Sequence, residues 1–180
     1  SPTGSVIIAQ DATYTNSTST TLTLSADDTT SGVAQMRFSH DNIIWTPWEA
    51  YATSKVWTLT TDDGAKTVYV QFMDNAGFVS PSYQDITILD TTKPTANAGQ
   101  DQTVNVEATV SFNAGDSTDN IGIVSYEWNF GDGTTGAGMT ATHTYTNPGT
   151  YTVTLTVKDV AGNTATHSIT ITVEAPPEEA

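Results

Sequence analysis

Apolar and polar residues alternate along almost the whole chain. Thr20-Thr21-Leu22-Thr23-Leu24, Val33 to Phe38, Val56 to Leu59 and Val68 to Phe72 do so in the first half, and Val124 to Phe130 and Tyr151 to Val157 more cleanly in the second. A period of two turns one face of each segment to a core and the other to water, the mark of half-buried β-strands. Dense turn signals separate them: Asp63-Gly64, Asn75-Ala76-Gly77, Gly131-Asp132-Gly133 and Asn147-Pro148-Gly149. No stretch combines helical periodicity with caps. The pattern predicts an all-β chain.

The alternation breaks at Asp90-Thr91-Thr92-Lys93-Pro94-Thr95, just after the strand-like Asp85 to Leu89. Proline fixes its own backbone and extends its neighbour, so this segment reads as a short, stiff connector. It divides the chain into a first domain at residues 1–89, a linker at 90–95 and a second domain at 94–174, with 175–180 as a tail or the start of a further linker. Ser1-Pro2-Thr3 repeats the end of the connector, so another domain is expected upstream. Each half carries an acidic loop after its second strand, Asp27-Asp28 in one and Asp116 with Asp119 in the other. Each ends its penultimate strand with Asp-X-Ala-Gly, at Asp74 to Gly77 and Asp159 to Gly162, and adds one more strand. About seven short strands with turns roughly every 8–12 residues is the signature of an immunoglobulin-like sandwich, and two in tandem are expected.

Charge narrows the partners. The 180 residues hold 5 basic and 20 acidic side chains, a formal charge of −15. Such a surface repels phosphate backbones and anionic lipid, which argues against nucleic-acid binding and membrane association. No apolar run approaches the ~20 residues of a membrane-spanning helix. Cysteine is absent, so thiolate metal sites and disulfides are impossible. Threonine makes up about a fifth of the chain, and Asn16-Ser17-Thr18 is a glycosylation sequon. With no initiator methionine and no leader-like segment, the chain reads as part of a longer protein, and its composition fits an extracellular one.

Residues 94–173 resemble the polycystic-kidney-disease (PKD) domain family. The resemblance is carried by Ser117-Thr118-Asp119, Tyr126-Glu127-Trp128-Asn129-Phe130-Gly131-Asp132-Gly133, His143-Thr144-Tyr145 and Pro148-Gly149-Thr150-Tyr151, then by Val153 to Val157, Asp159 and Gly162-Asn163. Asn129 departs from the Asp the family usually has there. Residues 2–89 resemble a bacterial or archaeal immunoglobulin-like repeat through Tyr14-Thr15-Asn16, Leu22 to Ala26, Ser31-Gly32-Val33, Trp45 with Trp48, and the terminal Asp90-Thr91-Thr92. The resemblances imply a non-catalytic spacer or adhesion module on prokaryotic surface or secreted proteins, often in tandem arrays.

Catalytic signals are weak. His40, His143 and His167 are far apart and never at i, i+4, and neither a Gly-X-Ser-X-Gly elbow nor a phosphate-cradling loop is present. Trp128, sharing a face with Tyr126 and Phe130, and Trp57 with Leu59 read as core. Trp45 and Trp48 are either a cluster closing one edge of the sandwich or a sugar-stacking platform. Asp63 and Asp132 precede glycines and read as turn formers.

The other aspartates carry the chemistry. In an immunoglobulin-like sandwich the loops after the second and penultimate strands lie at the pole where the first strand enters. Asp119 and Asp159 should meet there, and Asp90 should arrive on the connector. Clustered carboxylates repel, and Ca²⁺, which takes six to eight oxygens in flexible geometry, relieves that repulsion. The expectation is a Ca²⁺ site of Asp90, Asp119 and Asp159 with Asn120 or backbone carbonyls, which PKD family precedent also implies, and a weaker half-site of Asp28 and Asp74. Expected partners are neighbouring domains of the same parent chain, then copies of itself in a surface layer or fibre, or a surface glycan or protein. The reading is a structural rod segment with a calcium-stiffened joint. The alternative is an accessory carbohydrate- or protein-binding module of a secreted hydrolase. Filament assembly by strand exchange would need a donor such as Thr3 to Ala9 or the acidic tail.

Overall fold

A computed structural model describes residues 1–175; the expected tail, from Pro176 onward, lies outside them. The chain divides into two compact units, Ser1–Thr91 and Thr92–Ala180. Both are antiparallel-dominated β-sandwiches, and among the described residues no helix is long and apolar enough to cross a membrane.

The first unit contains β1 (Thr3–Ile8), β2 (Tyr14–Thr15), β3 (Ser19–Asp27), β4 (Val33–Ser39), β5 (Glu49–Ala50), β6 (Ser54–Thr58), β7 (Gly64–Asp74) and β8 (Tyr83–Leu89). One sheet has the order β1-β3-β6 and the other β2-β8-β7-β4-β5. Alternation decides which side chains meet between them. Leu22 and Leu24 from β3 and Val68, Val70 and Phe72 from β7 are fully buried, while the intervening threonines of β3 face water. Trp57 is half-buried against this core, tilted on Phe38 and His40.

The chain changes sheets between β1 and β2 through Ala9, Gln10 and Asp11, all left-handed, with φ of 49°, 58° and 69°. For residues with a Cβ that conformation costs roughly 1–2 kcal/mol each. Surrounding contacts hold the turn. The Ile8 N–H donates to Asp85 Oδ2 at 2.6 Å, and the Thr87 hydroxyl donates to the Ala12 carbonyl at 3.0 Å.

The second unit contains β9 (Gln102–Asn105), β10 (Thr109–Asn113), β11 (Ile123–Asn129), β12 (Thr135–Ala137), β13 (Thr140–Thr144), β14 (Gly149–Asp159) and β15 (Thr164–Glu174). A β10-β13 pair packs on a five-stranded sheet ordered β12-β11-β14-β15-β9. Thr95 bridges to Thr118, so the connector is already part of this unit at that residue. Val153, Leu155 and Val157 point inward with Phe112, Trp128 and Ile171. Their outward neighbours form hydroxyl pairs across β14 and β15: Thr150 faces Thr172, Thr152 faces Thr170, Thr154 faces Ser168 and Thr156 faces Thr166. Polar pairs of this kind let one sheet face stay in water while the other builds a core.

Gly131 has φ +82°, and a Cβ there would lie 2.5 Å from the Thr152 carbonyl oxygen; Gly133, at φ +93°, has open space. Gly133→Ala is therefore expected to cost roughly 1–2 kcal/mol of backbone strain, and Gly131→Ala about 3 kcal/mol or more because a collision with backbone is added. Urea denaturation of the two variants measures the difference, and equal losses would refute the close approach at Gly131.

Candidate functional site

The pole of the second sandwich is built around two aspartates. Asp159 ends β14 and is completely buried. Its Oδ1 accepts the N–H groups of Ala161 and Asn163 at 2.9 and 2.8 Å, and its Oδ2 accepts the Asn163 side-chain amide at 2.8 Å. Gly162, left-handed at φ +97°, lets the turn close this tightly. Asp119, in the loop between β10 and β11, accepts the Ile121 and Gly122 N–H groups on Oδ2 at 2.9 and 2.7 Å. Its Oδ1 is buried and has no hydrogen-bond partner among the described residues. A carboxylate oxygen of Asp119 lies within 4.8 Å of one from Asp159. Two anions this close, one of them with an orphaned buried oxygen, suit a hard cation. Asn120 is exposed in the same loop.

Asn163 was not among the residues singled out as ligands. Its amide also donates to the Thr92 carbonyl at 3.2 Å, tying the incoming connector to the pole. Its place four residues after Asp159, just past Ala-Gly, was the available signal.

The first sandwich repeats the device. Asp74 ends β7, is 3% exposed, and accepts the Ala76 and Phe78 N–H groups on Oδ1, both at 2.9 Å. Asp28 accepts the Ser31 and Thr30 N–H groups on Oδ1 at 2.8 and 3.0 Å. Those bonds, that from the Ser31 N–H foremost, hold the Asp28 carboxyl down at about 2. The remaining oxygens converge: the Ser1 backbone nitrogen lies 3.4 Å from Asp28 Oδ2 and 3.9 Å from Asp74 Oδ2. Asp90 is buried at the end of this unit, where its N–H donates to the Thr15 carbonyl. Asp63 does more than form a turn, because its Oδ1 accepts both the N–H and the hydroxyl of Thr91.

Trp45 and Trp48 are half-buried. The Arg37 guanidinium lies over both rings, at 4.9 and 4.5 Å from their centroids, and donates twice to Gln71 Oε1. The guanidinium takes up ring surface that a sugar would need for stacking, which favours the edge-closing role of this pair. Asn16 is exposed between β2 and β3.

Each of the three histidines has a structural neighbour. His40 packs on Trp57, and burial lowers its pKa. His167 Nδ1 accepts the Ala98 N–H. His143 stacks on Phe130 and places Nε2 2.7 Å from Asp132 Oδ2 and 3.4 Å from the Thr134 hydroxyl. This hydroxyl–imidazole–carboxylate group is not wired for proton relay. A relay uses opposite ring nitrogens, whereas here one nitrogen faces both partners and Thr134 already donates to Asp132 at 2.6 Å. It latches the turn after β11.

These features define the class as two immunoglobulin-like sandwiches. Residues 91–173 match the family model of the PKD domain, and the second sandwich is a PKD domain. Fibronectin(III)-like modules of Clostridium thermocellum CbhA align over 97% of this chain and 97% of theirs, with 14% identity and a TM-score of 0.55. A structure from a 1.5-MDa bacterial ice-binding adhesin aligns over 97% of this chain and 65% of its own, at 15% identity and a TM-score of 0.54. These two likenesses are of fold. The PKD1 domain of Vibrio anguillarum Epp is 37% identical over 47% of this chain and 98% of its own, with a TM-score of 0.40. No curated relative matches the chain.

Burial works to raise the Asp132 carboxyl, but hydrogen bonds from Thr134 and His143, together with the imidazole's charge, outweigh it and hold the group at about 2 against an ordinary 3.8. The unfolded chain therefore takes up this proton first as pH falls. The stabilisation from Asp132 is complete above about pH 4 and drains away toward pH 2. Asp132→Asn is expected to flatten that part of the acid profile, read as unfolding free energy from urea titrations between about pH 2 and 5. Parallel profiles for the two proteins would refute the assignment.

Proposed function

We propose that this chain is a non-catalytic structural or adhesion segment of a larger protein, secreted or exposed at a cell surface, and that Ca²⁺ stiffens the junction between its two sandwiches. The observation that carries the ion is the buried Asp119 oxygen, unpartnered among the described residues, beside the buried Asp159 carboxylate. Unit charges at 4.8 Å repel by about 3.5 kcal/mol at an effective dielectric near 20. Backbone N–H groups hold both side chains in place, so the pair is preorganised and does not swing apart to relieve this. Oxygen donors of this hardness suit Ca²⁺ and not a thiophilic metal.

Asp90 stands two residues before the second unit begins and is the third carboxylate of the site, with Asn120 and backbone carbonyls completing the oxygen shell. Filling it disfavours arrangements that draw Asp90 away from Asp119 and Asp159, and that stiffens the joint. Asp28 and Asp74, whose Oδ2 atoms lie 3.4 and 3.9 Å from the same Ser1 nitrogen, form a second and weaker seat. The PKD family match and the immunoglobulin-like fold of both halves support the extracellular reading. So does the hydroxyl-rich, cysteine-free, strongly acidic composition, which keeps exposed sheet faces hydrated and discourages edge pairing.

Titration calorimetry of the full chain is expected to show Ca²⁺ binding with a dissociation constant of about 10⁻⁴–10⁻³ M, the range of extracellular modules. Ca²⁺ at about ten times that constant adds about 1.4 kcal/mol and raises a domain's melting midpoint by several degrees over a scan in chelator. Asp119→Asn should abolish the stronger binding while Asp101→Asn leaves it unchanged. Identical melting curves with calcium and with chelator would eliminate the ion from the mechanism.

A further inference from the structure

We infer that β1 is an exchangeable strand: it can leave its own sandwich and pair with β3 of a second copy of this chain. The observation behind this is the turn that follows it. Ala9, Gln10 and Asp11 are three successive non-glycine residues at positive φ, a conformation that L-residues adopt singly and seldom in a row. Strain concentrated in a short hinge next to an edge strand is the condition that invites exchange between copies.

The strand itself suits such a role. β1 is six residues long and, among the described residues, lies at the edge of its sheet, paired on one side only, to β3, from Thr3 opposite Asp27 to Ile8 opposite Leu22. Val6 and Ile8 are its buried anchors, and the Ile8 N–H is fastened to Asp85. In an exchanged pair every one of these contacts re-forms with the copy, because the acceptor site is identical. Only the hinge differs: Ala9 to Asp11 straighten into extended backbone, and the left-handed turn is relieved. Hinge strain thus favours exchange, while the entropy of association and repulsion between chains of charge −15 oppose it. Exchange should therefore increase with protein concentration and with salt. It requires no ion, and the calcium reading stands or falls separately.

The chain has no cysteine, which permits a direct test. Ser5 and Ser25 are exposed and directly opposite on β1 and β3, at the separation a disulfide can bridge. The Ser5→Cys/Ser25→Cys protein is annealed through its urea midpoint at high concentration, in chelator and added salt, either before or after oxidation. Annealing first should yield covalent dimers on a non-reducing denaturing gel, and oxidising first should yield monomers alone. A second variant without cysteine, Ala9→Gly/Gln10→Gly/Asp11→Gly, removes the strain. Sedimentation velocity should show its annealed dimer at least about tenfold less abundant than that of the parent sequence. Dimers that form with β1 already locked, a hinge variant that dimerises like the parent, or no dimer in either order would each overturn the inference.

Discussion

A carboxylate can sit in the closed end of a β-sandwich only if backbone N–H groups face it, and that constraint organises both halves of this chain. Where β7 and β14 end, the next residues turn too sharply to continue the ladder, and their N–H groups would be left unpaired. Asp74 and Asp159 accept those groups two and four residues ahead. Asp28 and Asp119 do the same for the loops across the pole. Satisfying the turns in this way fixes the direction of the other oxygens. Those of Asp28 and Asp74 converge, and Asp119 keeps one buried without a partner among the described residues. An electronegative pole follows from the way the loops are closed, with no need for excess acid on the surface.

The sheet faces obey a different economy. Period-two alternation commits one side of β14 and β15 to the core and leaves the other as rows of paired hydroxyls. Where the first sandwich needs an edge closed, it uses a guanidinium spread over two indoles and tied to Gln71. In the second, a hydrogen-bonded Asp132–His143 pair lying on Phe130 secures the turn after β11. Each device buries polar atoms only with a partner at hand, as a low-dielectric interior requires.

How much of this was legible depended on the range of the interaction. The strands of the second half could be read from Tyr151 to Val157 because alternation is a local property, and its family from Trp128 to Gly133 because turn chemistry is local too. The grouping of Asp119 with Asp159 was also readable, since sandwich topology brings those two loops to one pole. The roles of Asp63, Asn163 and Arg37 were not. Asp63 reaches Thr91, 28 positions on, Asn163 reaches back 71 positions to Thr92, and Arg37 binds a glutamine 34 positions away. The left-handed run at Ala9 to Asp11 carries no glycine or asparagine to announce it.

The sequence by itself determined that this protein is all-β, that it breaks near residue 90, and which aspartates lie in its polar loops, because periodicity, proline and turn residues act within a few positions. Only the tertiary structure decided which oxygen of each aspartate is committed to the backbone and which is left over. It also decided that the first strand hangs from a strained turn. Both depend on packing between segments far apart in the chain, where side-chain identity says nothing about direction.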